Sequence, residues 1–240
     1  MLRKTLDEIS HNARVKIFPD GRREWLVADR KIFRESGWEE EKQTRVRSPK
    51  GECGESLERS RRRAKAQVRD IALCCRFSYF VTFTLDREKV DRYDIAEITR
   101  KLDIWLDNRV RRRGLVYVLV PELHKDGAVH FHGFINDVLP VVDSGKKTRR
   151  GQVIYNLPSW DFGFSTAVRI NDDYERTVAY VCKYITKSTQ KIGGRWYYSG
   201  GDIKRPEVLY FDMPMDEVPE NSYLIHVPDA GFSMKIFRDS

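Results

Sequence analysis

The stretch of sequence that decides the fold runs from Leu115 to Ile135, LVYVLVPELHKDGAVHFHGFI. Its first seven residues are mostly apolar, which indicates a buried strand, and residues 128–135 (AVHFHGFI) indicate a second strand. Lys125-Asp126-Gly127 between them is typical of a tight hairpin turn. The sequence therefore predicts two antiparallel strands that are direct neighbours.

Two histidines and one glutamate on this hairpin form a candidate metal site. His130 and His132 are two residues apart, so on a strand both imidazoles leave the same face. If the hairpin is centred on Asp126, Glu122 lies opposite His130 at about 5 Å between β-carbons. A two-residue turn at Asp126-Gly127 would instead shift the register by one residue and turn Glu122 away.

Three ligands would leave open coordination positions, which is typical of a catalytic metal ion. Mixed imidazole and carboxylate ligands favour a divalent ion, Mn²⁺ or Mg²⁺, and do not decide between the two. The alternative is that both histidines are surface residues on a half-exposed strand. The sequence predicts a catalytic divalent metal and leaves its identity open.

The elements around the hairpin indicate an α+β fold. The sequence predicts helices over residues 56–72, 95–110 and 172–188 and further strands over residues 78–85, 164–170 and 208–211. The order of strands and helices is that of the split βαβ, or ferredoxin-like, arrangement. We expect an antiparallel five-stranded sheet with helices on one face.

The last predicted helix carries two stripes of different character over residues 178–187 (VAYVCKYITK). The apolar stripe consists of Val178, Val181, Cys182 and Ile185, and the opposite stripe consists of Tyr180, Lys183, Tyr184 and Lys187. Such a polar stripe is usually a solvent face. Near a metal that binds phosphate, however, a phenol is a candidate nucleophile, and a neighbouring lysine favours its ionised form.

Basic residues make a polyanion the expected charged partner. The chain has 44 Lys and Arg against 36 Asp and Glu, a net charge of +8. Candidate contacts to nucleic acid lie in a basic helix and in a later aromatic-basic segment: Arg61, Arg62, Arg195, Trp196, Lys204 and Arg205. A solvated helix face and a packed strand are the alternatives for these two segments. Residues 144–151 (SGKKTRRG) indicate a basic surface loop without a phosphate-loop pattern.

Three motifs in this order resemble those of HUH endonucleases, which initiate rolling-circle replication of single-stranded DNA phages and small plasmids. They are Phe80 to Thr84 (FVTFT), His130-Phe131-His132, and Tyr180 to Lys187 (YVCKYITK) with the Tyr-x-x-x-Tyr spacing of phage-type members. Val120 to His124 (VPELH) is also similar to phage and prophage members. The similarity covers roughly residues 56–211, so we expect an HUH domain over residues 51–240 and a charged N-terminal segment of unclear role over residues 1–50.

The resemblance implies a site-specific single-stranded DNA endonuclease and strand transferase. Glu122, His130 and His132 would hold Mn²⁺ or Mg²⁺, and Tyr180 or Tyr184 would attack a phosphate with help from Lys183 and Lys187. The product would be a 5′-phosphotyrosyl bond that a 3′-hydroxyl can reseal. The implied partners are single-stranded DNA or an origin hairpin, with host helicase and polymerase, in the cytoplasm of a bacterial cell and without a membrane.

A different class of function also fits the order of elements. Ferredoxin-like folds include modules that bind single-stranded nucleic acid without catalysis. Those modules use aromatic side chains where this chain has His130 and His132. A covalent adduct between protein and DNA would separate the two functions.

Overall fold

A computed structural model describes residues 10–34, 53–171, 173–227 and 231–239. The chain divides into two compact units, one over Lys50–Lys204 and the other over Met1–Pro49 with Arg205–Ser240. Residues from Arg205 onward therefore group with the N-terminal part of the chain. This division differs from the expected single domain over residues 51–240.

The described residues form helices and antiparallel strands, as an α+β fold requires. The helices are α1 (Cys53–Cys75), α2 (Ile95–Arg113) and α3 (Tyr174–Lys187). The strands are β1 (Ser10–His11), β2 (Ala13–Ile17), β3 (Arg23–Ala28), β4 (Phe33–Arg34), β5 (Tyr79–Leu85), β6 (Tyr117–Leu123), β7 (Val129–Ile135), β8 (Val142–Lys147), β9 (Val153–Asn156), β10 (Gly163–Arg169), β11 (Tyr198–Gly200), β12 (Glu207–Phe211), β13 (Tyr223–Val227) and β14 (Phe232–Asp239). None of these helices has the length and apolar content that a membrane-spanning segment requires.

The larger unit is built on a seven-stranded antiparallel sheet in the order β11-β6-β7-β5-β10-β9-β8. The expected five strands were too few, because β8, β9 and β11 had no recognisable strand pattern. β8 includes part of the segment that was expected to be a basic loop, and most of its residues are exposed. An exposed strand at a sheet edge buries little apolar surface, so it has no apolar alternation to reveal it.

Helices cover both faces of this sheet, which corrects the expectation of helices on one face. α1 and α3 pack with Val118, Val120 and Phe134 on one face. α2 packs with Leu119 and Phe131 on the other face. Because β6 is covered on both sides, its residues from Tyr117 to Pro121 are all buried, and this explains its continuous apolar run.

The β6–β7 hairpin has the register that places Glu122 opposite His130. The His124 amide donates to the Ala128 carbonyl at 2.8 Å, and the Gly127 amide donates to the His124 carbonyl at 2.8 Å. Gly127 has a φ of 86°, which glycine adopts without a steric penalty. The predicted hairpin centred on Asp126 is therefore confirmed.

The smaller unit contains a five-stranded sheet in the order β12-β2-β3-β14-β13. The strand predicted over residues 208–211 is present as β12, but it pairs with β2 instead of closing the larger sheet. Its local pattern specifies a strand and carries no information about a partner almost two hundred residues away. Trp25 stacks on Phe237 at 5.4 Å between ring centroids in this unit.

Gly133 lies where three strands of the larger sheet come closest together. It pairs with Val81 of β5 and with Leu119 of β6. A Cβ at this position would lie 2.0 Å from the Val118 carbonyl oxygen and 2.8 Å from the Leu119 Cα. Both are backbone atoms of β6, so relief would require movement of the strand that carries Glu122.

We predict that Gly133→Ala lowers the free energy of unfolding by roughly 1–3 kcal/mol, as overpacking does. Gly54→Ala is the matched control, because a Cβ on Gly54 in α1 meets no atom within 4 Å. Thermal and denaturant unfolding measure both changes. Equal stability of the two variants would contradict the close approach of β6 and β7.

Candidate active site

Glu122, His130 and His132 lie on the same face of the sheet as α3. Glu122 pairs with His130 across the hairpin, and Val120 pairs with His132. Val120 and Phe134, which alternate with these residues on the same face, pack against α3. The hairpin register therefore directs the three predicted ligand side chains toward the helix that carries the tyrosines.

His132 is held from three sides. Its Nδ1 lies 3.1 Å from the Thr82 hydroxyl, and its ring stacks on Tyr184 at 4.0 Å between centroids with an interplanar angle of 4°. Burial, together with the charges of His130 and Lys187, lowers the pKa of His132 to about 4. The ring is therefore neutral near pH 7, which is the form that binds a metal.

The Nε2 atom of His132 points at a carboxylate without a hydrogen bond. It lies 3.0 Å from Glu122 Oε2, but this buried nitrogen has no hydrogen-bond partner because the angular geometry is unsuitable. When Nδ1 donates to Thr82, Nε2 presents a lone pair, and two acceptors then face each other at close range. A cation between them would relieve that repulsion, so Glu122 and His132 fit a metal site.

His130 is close to this pair but is not arranged as a third ligand. Its ring centroid lies 6.4 Å from that of His132, and it stacks on His124 at 4.9 Å. Burial, followed by the nearby His124, lowers the pKa of His130. In the described ranges of the chain, no group of three or more His, Cys, Asp or Glu side chains has the geometry of a metal site.

Tyr184 is buried above His132, although the sequence placed it on a polar stripe. Only 7% of its surface is exposed, and it belongs to the core cluster with Val181 and Ile185. Burial, the hydrogen bond with Tyr180 and the charge of Glu122 raise the pKa of Tyr184 above its usual range. The polar stripe is therefore narrower than predicted, because the long phenol ring reaches the sheet.

Tyr180 is the accessible member of the tyrosine pair. It is 48% exposed, and its hydroxyl oxygen accepts a hydrogen bond from the Tyr184 hydroxyl at 2.7 Å. Its ring meets Phe80 edge-on at 5.9 Å between centroids. An exposed phenol oxygen that accepts a hydrogen bond is the better placed nucleophile, since the bond would stabilise its ionised form.

The two predicted lysines occupy different environments. Lys187 Nζ lies 5.5 Å from the centre of the Tyr184 ring. Lys183 is exposed on α3, and within the described part of the chain it makes no hydrogen bond or ion pair. The structure therefore brings Lys187 to the tyrosine pair and leaves Lys183 at the surface.

The basic residues predicted in α1 make contacts within the protein. Arg61 donates to the carbonyl oxygens of Thr186 and Ser188 at 3.0 Å and 3.2 Å, so it binds the C-terminal end of α3. Both Arg61 and Arg62 also pair with Glu58. Arg61 therefore holds α3 in place.

The aromatic-basic segment is partly packed into the protein. Trp196 is 6% exposed and donates to the Ser60 hydroxyl at 3.0 Å, so it cannot offer its face to a base in this arrangement. Arg195 pairs with Asp103 at 2.8 Å. Lys204 and Arg205 are exposed. The packed alternative therefore holds for Trp196.

Thr82 is a site residue that the sequence analysis did not identify. It lies in the FVTFT motif and pairs with His132 across β5 and β7. The available signal was the alternation along β5, which puts Thr82 on the same face as Phe80. That signal needed the order of strands in the sheet, which the sequence did not provide.

Comparison with known proteins gives one match. Neither a curated protein nor a solved structure matches the chain. The model of a family of replication-associated proteins, the ORF2 type, matches residues 78–189, slightly less than half of the chain. This segment extends from β5 to the residues after α3 and contains Glu122, both histidines and both tyrosines. The match of these residues to a replication-associated protein family is consistent with a replication initiator.

Proposed function

We propose that this protein is an HUH-type endonuclease that initiates rolling-circle replication by nicking single-stranded origin DNA. The observation that carries the proposal is the hydrogen-bonded pair Tyr180–Tyr184, stacked through Tyr184 on His132. A nucleophile thereby lies on the helix that packs over a histidine-carboxylate pair. The family match to residues 78–189 supports a role in replication.

A divalent metal ion, Mn²⁺ or Mg²⁺, is part of the proposal. Glu122, His130 and His132 would hold it. When bound, it would supply charge neutralisation at the scissile phosphate. The buried, unpaired His132 Nε2 beside Glu122 is the structural support for this assignment.

Tyr180 performs the proposed attack. Its oxygen forms a bond to the scissile phosphorus while the bond from phosphorus to the 3′-oxygen breaks. The phenol proton passes to solvent, and the departing 3′-oxygen takes up a proton. Tyr184 donates a hydrogen bond to the attacking oxygen, and the positive charge of Lys187 lies beside the tyrosine pair.

The product is a 5′-phosphotyrosyl ester and a free 3′-hydroxyl. The ester retains the free energy of the broken phosphodiester bond, so a 3′-hydroxyl can reverse the step and reseal the strand without ATP. The proposed partners are single-stranded DNA or an origin hairpin, with host helicase and polymerase. Tyr184 would serve a second transfer only after Tyr180 releases its hydrogen bond.

We predict that the purified protein with Mn²⁺ becomes covalently joined to the 3′ portion of a single-stranded origin oligonucleotide. The adduct should survive boiling in detergent and migrate more slowly on a denaturing gel. A panel of hairpin oligonucleotides supplies the substrate. Binding to the whole panel without any adduct would support the non-catalytic nucleic-acid-binding module instead.

Tyr180→Phe should lower the rate of adduct formation more than Tyr184→Phe does. Loss of the Tyr184 hydroxyl removes one hydrogen bond to a developing charge, which corresponds to roughly a 10- to 100-fold loss. The double variant should form no adduct, and Tyr223→Phe in β13 is the exposed control. Single-turnover kinetics measure the rates, and unchanged adduct in the double variant would place the nucleophile elsewhere.

His130→Ala and metal chelation should each abolish cleavage and leave DNA affinity largely unchanged, because phosphate contacts supply most of the binding. His226→Ala in β13 is the control histidine. Cleavage and fluorescence anisotropy with a labelled oligonucleotide separate the two effects. Equal cleavage with and without chelator would contradict the metal assignment.

A further inference from the structure

A continuous open surface passes beside the tyrosines and the histidine pair. We propose that it is the track of the single-stranded DNA, with an arginine groove at one end and Phe164 as a base-stacking platform at the other. This inference rests on the proposed function and adds residues that neither the sequence analysis nor the family match singles out. The groove and the platform are two sets of side chains that can be changed separately.

Phe164 lies in line with the histidines on the open part of the sheet. It pairs with Thr84 of β5, and Thr84 pairs with His130 of β7, so the three residues form a row across adjacent strands. Neighbouring strands are about 4.8 Å apart, so the row spans roughly 10 Å. Phe164 is 70% exposed, which is unusual for a large apolar side chain on a sheet face.

The opposite end of the same face opens into a groove of about 880 Å³ beside Tyr180. Its apolar lining comes from Phe80, Val168 and Ile170, and Phe80 and Val168 are direct partners on β5 and β10. Because Phe80 also contacts the Tyr180 ring, the groove begins at the proposed nucleophile.

Arginines from two elements surround this groove. Arg149 and Arg150 lie in the turn between β8 and β9, and Arg176 lies on α3. Asp173 contributes the carboxylate of the lining, 3.9 Å from Arg150 and 3.4 Å from Arg176. Three arginines around one carboxylate leave a positive excess that suits a phosphate backbone.

The combination of charge and apolar surface favours an unpaired strand over a duplex. Single-stranded DNA binds through cationic grooves that follow the backbone and aromatic side chains on which bases stack. In a duplex the bases are already stacked and unavailable to Phe164. A strand that crosses from the groove to Phe164 would pass Tyr180 and the histidine pair between the two ends.

The groove is tested with Arg149→Ala/Arg150→Ala against the matched control Arg112→Ala/Arg113→Ala, two exposed arginines at the end of α2. Binding of a labelled oligothymidine is measured by anisotropy over a salt series with chelator present, so chemistry does not contribute. The groove variant should bind about tenfold more weakly at low salt. Its salt dependence should fall by about 1.4 in slope, the value for two phosphate contacts to single-stranded DNA. Equal effects in both variants, or none in either, would overturn the groove.

The platform is tested with Phe164→Ala, which should weaken binding of single-stranded DNA by about tenfold through loss of one stacked base. Phe164→Trp should keep the affinity, and Ile104→Ala on α2 is the exposed apolar control. Duplex DNA of the same length should bind equally to the wild type and to Phe164→Ala. The same loss for single-stranded and duplex DNA, or no loss for either, would overturn the platform.

These binding measurements fail independently of the nicking proposal. If the groove and platform variants bind normally while the wild type forms the covalent adduct, the track is wrong and the proposed function stands. If both variants lose affinity and the wild type forms no adduct, the track stands and the nicking mechanism is wrong.

Discussion

The pairing of β6 with β7 is the constraint on which the candidate site depends. Because Glu122 is opposite His130, a carboxylate and two imidazoles leave the same face of the sheet. A slip of one residue would direct Glu122 toward the α2 face and separate it from the tyrosines. Arg61 supports the other half of the arrangement, since its bonds to Thr186 and Ser188 hold the end of α3.

The tyrosine pair divides two requirements between two side chains. Tyr184 is buried and stacked on His132, so its position is fixed, whereas Tyr180 is exposed and can reach a substrate. The hydrogen bond between them links the accessible phenol to the rigid part of the site. In the proposed reaction, the buried phenol therefore positions and stabilises the exposed one.

Local patterns in the sequence were sufficient for the hairpin, the three helices and the residues that meet at the site. They were insufficient where the outcome depended on distant partners or on thin, exposed elements. β12 pairs with β2 across the length of the chain, and β8 has too few buried residues to reveal a strand. Tyr184 and Trp196 were misjudged for a related reason, because their burial depends on what packs over them.

The incomplete coverage of β6 has a consequence for association between copies of the chain. β11 pairs only with Tyr117 to Leu119, so among the described residues the second half of β6 has no strand on that side. Pro121 lies in this uncovered half and carries no amide hydrogen to offer an incoming strand. The sheet is thereby discouraged from growing at the margin next to Glu122, which keeps that margin open to solvent.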